Sequence, residues 1–167
     1  MDVFGMCRTE TDGLYEGECN FLCPTDGSFL TKNYECRNLC DLITVEHGKP
    51  LMIYGKEFYR DTPAVVENYY GNGIAYYIGA DVEQGFYEEF YSHLVEKMEI
   101  PSIIKGTIPK GVEVSKRSGE KADYIFVQNF SNESVDISDM RVEGQILYGT
   151  NKNNLAGYES LVVKIGK

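Results

Sequence analysis

Asn72-Gly73 constrains this chain more than any other pair of residues. A two-residue type I′ turn needs φ > 0 at both central positions, which Asn and Gly tolerate, so the dipeptide between apolar runs predicts a β-hairpin. On its first strand Ala64, Val66 and Asn68 alternate with Val65, Glu67 and Tyr69; on the second Ile74, Tyr76 and Ile78 alternate with Ala75, Tyr77 and Gly79. The second strand is apolar on both faces, the pattern of an interior strand covered on two sides. A cover follows directly in the chain. Asp81 can cap a helix with Gln84 in the capping-box position, and Phe86, Phe90, Leu94 and Met98 recur every fourth residue beside Tyr87, Tyr91 and Val95. The spacing predicts a helix with a broad apolar stripe, with Glu83, Glu88, Glu89, Ser92 and Lys97 toward water and an end before Pro101.

Lys+Arg 16 against Asp+Glu 26 gives a formal net charge of -10, which argues against nucleic acid as a partner. No run approaches the ~20 apolar residues of a membrane span, and the opening MDVFGMCRTETDG has no basic and apolar leader pattern. Val3, Phe4 and Met6 arrive with no cap or strand opening before them, as in a chain cut from a longer one. The sequons at Asn129 and Asn132 carry no weight without a secretory context.

Cys19, Cys23, Cys36 and Cys40 form two C-x3-C pairs. On strands, positions four apart lie about 13 Å from each other, so neither pair is expected to chelate by itself. A single antiparallel register that sets Cys19 opposite Cys40 also sets Cys23 opposite Cys36, within or near disulfide range. Three readings follow: reduced, buried thiols acting as small hydrophobes; two cross-strand disulfides; or a zinc site built from all four.

After the helix, EIPSIIKGTIPKG reads as a linker, and VEVSKR, DYIFVQNF, SVDIS, QILYG and LVVKI read as short antiparallel strands separated by polar turns. Two domains are therefore expected, residues 1–100 and 110–167, joined by 101–109. The composition counts Tyr 13, and most of these alternate with aliphatics or follow the helical stripe, as core residues do. An exposed row of Tyr124, Tyr148 and Tyr158 would instead make the second domain a carbohydrate-binding module.

No catalytic constellation is legible. Glu88 and Glu89 belong to a polar helix face, and Glu10, Glu16 and Glu18 to an acidic loop region. His47 and His93 have no sequence-adjacent Asp or Cys partner, and no cysteine sits in a strand-Gly-x-Cys-x-Gly-helix turn. Gly71-Asn72-Gly73 lacks a third glycine and opens a strand, which argues against a phosphate loop. No catalytic residue, cofactor or resident metal is assigned.

The run Tyr54, Gly55, Phe58, Tyr59, Pro63, Ala64, Val65, Asn68, Gly71, Gly73, Ala75, Tyr76, Tyr77 and Ile78 resembles the trimerisation domain of glycoside hydrolase family 42 β-galactosidases. Val3, Phe4, Gly5, Glu10, Gly17, Glu18 and Asn20 match an earlier part of the same pattern. Val112, Glu113, Val114, Tyr124, Phe126, Asn129, Ser131, Leu155, Tyr158 and Val162 resemble the family's small C-terminal β-sandwich. The resemblance implies an α/β plus all-β chain: the second half of a flavodoxin-like or glutamine-amidotransferase-like trimerisation domain, then an antiparallel sandwich. It further implies a cytoplasmic, homotrimeric parent that hydrolyses terminal β-D-galactosides with two glutamates on a (β/α)8 barrel. That barrel typically takes about 250 residues and cannot fit in this chain. The implied partners are the parent's own barrel and its neighbouring subunits. Phe58, Tyr59 and the loop from Glu10 to Glu18 are candidate subunit contacts.

Overall fold

In the computed structural model, residues 3–149 and 153–166 are described, and the chain divides into two units, Met1–Ile100 and Pro101–Lys167. In the first unit β1 (Met6–Gly13) and β2 (Asn20–Pro24) lie end to end along one edge of the long strand β3 (Tyr34–Val45). Then come β4 (Lys49–Tyr54), β5 (Pro63–Tyr70), β6 (Gly73–Ile78), the short β7 (Ala80–Val82) and the helix α1 (Gln84–Lys97). The sheet continues from β3 through β2, β4 and β5 to β6, while β7 returns to the other edge of β3; every pairing is antiparallel.

The hairpin forms, but its turn is one residue earlier than the sequence predicts. Tyr70 pairs with Gly73, so Gly71 and Asn72 are the central residues, and only Gly71 has positive φ, 58°. Glycine first and a negative φ second is the type II′ pattern, which suits the strand twist equally well. The displacement moves each partner by two positions, so the faces are unchanged: Val65, Glu67 and Tyr69 still share one side with Ile78, Tyr76 and Ile74. Nor is β6 interior; it ends the strand order and is only half-buried. Its double apolar character serves two separate contacts. Tyr76 meets Phe29 and Phe90 edge-on, whereas Tyr77 meets Phe4 at 5.6 Å on the opposite face.

Residues of the trimerisation-like pattern hold the strand connections. Gly5, at φ 62°, accepts the N–H groups of Glu46, His47 and Gly48 on its carbonyl, and a Cβ there would lie 2.5 Å from the Gly48 nitrogen. Asn68 donates its side-chain amide to the Val3 carbonyl at 2.9 Å. Asn20, fully buried, accepts the Lys56 N–H at 2.9 Å and donates to the Lys56 carbonyl at 3.2 Å, clasping the β4–β5 connection. Buried Tyr54 donates to the Gly79 carbonyl at 2.7 Å.

In the second unit, β8 (Val112–Ser118), β9 (Ala122–Asn129), β11 (Gln145–Tyr148) and β13 (Ser160–Gly166) form an antiparallel sheet ordered β11-β13-β9-β8. A ribbon of β10 (Val135–Asp136) and β12 (Asn154–Leu155) accompanies it, with Ile137, Met140, Val142 and Leu155 in one core with Ile125, Val127, Leu161 and Val163. Segment 101–109, read as a linker, contributes Ile104 to this core, and Lys105 bridges to Arg141. Asn129 is buried: its amide donates to the carbonyls of Glu133 and Ala156, and its Oδ1 accepts from the N–H and hydroxyl of Ser131. That sequon is a loop clasp.

Candidate assembly surface

The helix α1 begins two residues later than expected. Glu83 is its N-cap residue, without a side-chain cap bond, and Asp81 lies in β7, accepting from the Asn38 side chain. Strand pairing of Asp81 with Arg37 has displaced the cap.

The helix is also turned relative to the apolar stripe. Phe86 and Phe90 are buried, and partly buried Leu94 packs on the same core. Each buried Phe is worth roughly 1.5–3 kcal/mol in apolar burial. Three polar positions expected to face water, Glu83, Glu89 and Lys97, find partners on the packed side, as does His93. Glu89 accepts the Tyr34 hydroxyl at 2.6 Å and the Thr31 N–H at 3.0 Å. The Tyr34 hydroxyl bond, more than anything else, holds the Glu89 carboxyl below its usual range. His93 stacks on Phe29, with ring centroids 3.8 Å apart, and Glu83 accepts the Glu35 N–H at 3.0 Å. Lys97 lies 3.2 Å from Glu67, which also accepts the Tyr76 hydroxyl at 2.8 Å. Burial pushes Glu67 up, but Tyr76 and Lys97 outweigh it, and its carboxyl ends below the usual range.

With these polar partners held along the sheet side of the helix, Tyr91 and Val95 of the second apolar row lie outside. Tyr91 is 57% exposed and Val95 47% exposed; with Tyr87, Gln84, Glu88 and Ser92 they line a shallow groove. Around the end of the helix, Ile74, Tyr76, Leu94, Lys97 and Met98 line a second groove of about 330 Å³ beside the hairpin tip. Two aromatic side chains of the hairpin, Tyr69 and Tyr70, stand exposed near this end of β5. Scattered exposed hydrophobes are ordinary, whereas neighbouring ones on one helix make a candidate contact surface.

The other candidate contacts divide. Phe58 is exposed and packs edge-on against Tyr59, but Tyr59 is buried and donates to Asp12 at 2.8 Å. Glu10, Glu16 and Glu18 are exposed, and Glu18 accepts the Tyr15 N–H. Buried Asp41 is engaged by Thr11 and by Tyr77 at 2.6 Å, and burial together with that carboxylate pushes Tyr77 up to about 12. In the second unit Tyr148 and Tyr158 are exposed while Tyr124 is half-buried, and among the described residues no ring contact joins them.

The cysteine register differs from the sequence expectation. Cys36 pairs with Asn20, and Leu22 with Tyr34, so neither Cys19–Cys40 nor Cys23–Cys36 is opposed. Instead Cys36 and Cys40, four apart on one strand, bring their sulfurs within 3.9 Å. The cause is an irregularity in β3 at Asn38, which adopts φ 61°; the 13 Å spacing holds only for an unbroken strand. Among the described residues no group of three or more His, Cys, Asp or Glu side chains converges as a metal site, and no helix is long and apolar enough to cross a membrane.

Residues 1–101 match the family model described as the β-galactosidase trimerisation domain, and residues 111–164 match the β-galactosidase C-terminal domain. The chain is 36% identical over 142 residues to β-galactosidase Pbg of Clostridium perfringens, covering 83% of this chain and 21% of that protein. It is 34% identical over 131 residues to β-galactosidase GanA of Bacillus subtilis, covering 78% of this chain and 19% of that protein. Among solved structures it is similar to Gan42B, a GH42 β-galactosidase from G. stearothermophilus, with TM-score 0.77 and 31% identity over 99% of this chain and 24% of that one. It also resembles a cold-adapted β-galactosidase from Rahnella sp. R3, with TM-score 0.76, 28% identity and 98% against 24% coverage.

Proposed function

Since this chain belongs to the family 42 β-galactosidases, of which it carries the trimerisation and C-terminal domains, we propose that it is a non-catalytic region that assembles subunits and supports a catalytic barrel. Residues 1–100 supply the second half of the trimerisation domain and 110–167 the strands of the small sandwich, to whose core the intervening segment 101–109 adds Ile104. The parent enzyme hydrolyses terminal β-D-galactosides in the cytoplasm, and the chemistry resides outside these residues, without a cofactor or metal from them.

The observation that carries this reading is the exposed pair Tyr91 and Val95, with half-buried Tyr87 at its margin, on a helix whose other side is fixed by two buried phenylalanines and the Glu89 and Lys97 tethers. The occupant is a second copy of this chain, because the domain it lies in is matched by a trimerisation model. Light scattering of the 167-residue chain across a dilution series tests it. The expected result is a trimer that Tyr91→Asp converts to monomer with its far-ultraviolet circular dichroism unchanged, and no hydrolysis of a chromogenic β-galactoside. A wild-type monomer at every concentration, or a trimer indifferent to Tyr91→Asp, would overturn the assigned surface.

A further inference from the structure

Cys36 and Cys40 are buried at the centre of the first unit, on a strand that does not run regularly between them. Opposite β7, the span from Cys36 to Cys40 faces only Val82 to Ala80, so four steps of β3 occupy the length of two. Two strand steps measure about 6.7 Å, which brings the Cα atoms to the upper end of the range that a disulfide spans. The side chains close the remaining gap: the sulfurs are 3.9 Å apart. Asn38 holds the irregularity open, with its amide on Asp81 Oδ2 at 2.5 Å. On the opposite edge the ladder is broken at the same place. Gly13 pairs with Leu39, the Leu14 N–H reaches the Asn38 carbonyl, and regular pairing resumes only at Asn20 and Cys36.

We propose that Cys36 and Cys40 are a redox modification site, a dithiol that hydrogen peroxide converts to an intrastrand disulfide across the β3 irregularity. The interaction with Cys36 holds the Cys40 thiol below its usual range, and the same contact with burial pushes Cys36 up, so Cys40 ionises first. Tyr54 and Tyr59 lie close, but their single hydroxyl protons go to Gly79 and Asp12. The Cys40 thiolate attacks one peroxide oxygen, the O–O bond breaks, and hydroxide leaves as Cys40 becomes a sulfenic acid; the hydroxide takes the proton that Cys40 lost. The Cys36 sulfur then attacks the sulfenic sulfur, and its proton departs with the hydroxyl as water. Two thiols are oxidised and one peroxide is reduced to two waters.

Access alone favours other cysteines. Cys7, Cys19 and Cys23 are all more exposed, and Cys19 has Lys56 Nζ 3.9 Å from its sulfur. Trypsin separates the alternatives, since it cuts after Arg37, between the two residues of the proposed pair. The folded protein is treated with mild peroxide, then denatured, alkylated and digested. The expected product is peptide 33–37 cross-linked to the peptide beginning at Asn38, lighter by two hydrogens than the reduced pair and released by dithiothreitol. Cys40→Ser abolishes it, while the triple variant Cys7→Ala, Cys19→Ala, Cys23→Ala loses both of its remaining thiols to the same product. Cross-links from Cys36 or Cys40 to any other cysteine, or full alkylation of both while other thiols are oxidised, would overturn the proposal.

Discussion

The helix carries two apolar rows of the same spacing with opposite fates. Phe86, Phe90 and Leu94 enter the core, while Tyr91 and Val95 face out. Periodicity treats the rows alike, because each recurs every four residues. What separates them is the polar row on the far side of the phenylalanines. Glu89 finds Tyr34 and Thr31, and Lys97 finds Glu67, so those positions are held along the sheet side and Tyr91 and Val95 are carried out. A paired carboxylate can outcompete an apolar ring for a place beside the sheet when its partners are already there.

Substitutions can break this contrast. Phe86→Ala should cost about 3–5 kcal/mol, the range for a large core deletion, and lower the urea midpoint accordingly. Loss comparable to a surface change would mean that the inner row is not the anchor. Glu67→Gln should cost about 1–3 kcal/mol by weakening contacts to both Tyr76 and Lys97. Because the folded Glu67 carboxyl lies below its ordinary 4.5, its stabilising contribution is present above that pH and is lost as pH falls through the folded value. Wild type should therefore lose stability below about pH 4.5, and Glu67→Gln should flatten part of that acid limb; identical pH profiles would remove Glu67 from the account. Gly85→Ala, on an exposed first turn with open space where a Cβ would stand, should stabilise by about 0.5 kcal/mol. Tyr91→Ala should change subunit stability by less than about 0.5 kcal/mol in urea while weakening self-association. A large loss of subunit stability would put Tyr91 with the inner row.

The two C-x3-C segments repeat the lesson on strands. Cys19-x3-Cys23 and Cys36-x3-Cys40 have the same spacing, yet only the second brings its sulfurs together. Asn38 tolerates positive φ, but nothing in its neighbours announces that it will adopt it. The contact arises because β7 offers two strand steps against four of β3. Asn20 was visible as part of a family-like pattern, whereas its grip on Lys56 depends on a β4–β5 connection distant in sequence.

The sequence by itself determined the hairpin, the helix, the antiparallel second unit and the kinship with family 42 β-galactosidases, because alternation, turn residues and motif spacing are local properties of the chain. Tertiary structure alone decided the rotation of the helix, the edge position of β6, the partners of Glu67 and Glu89, and the meeting of Cys36 with Cys40. Those outcomes depend on competition among groups far apart in sequence, where one hydroxyl proton or two extra strand residues select which of two locally equivalent arrangements is buried.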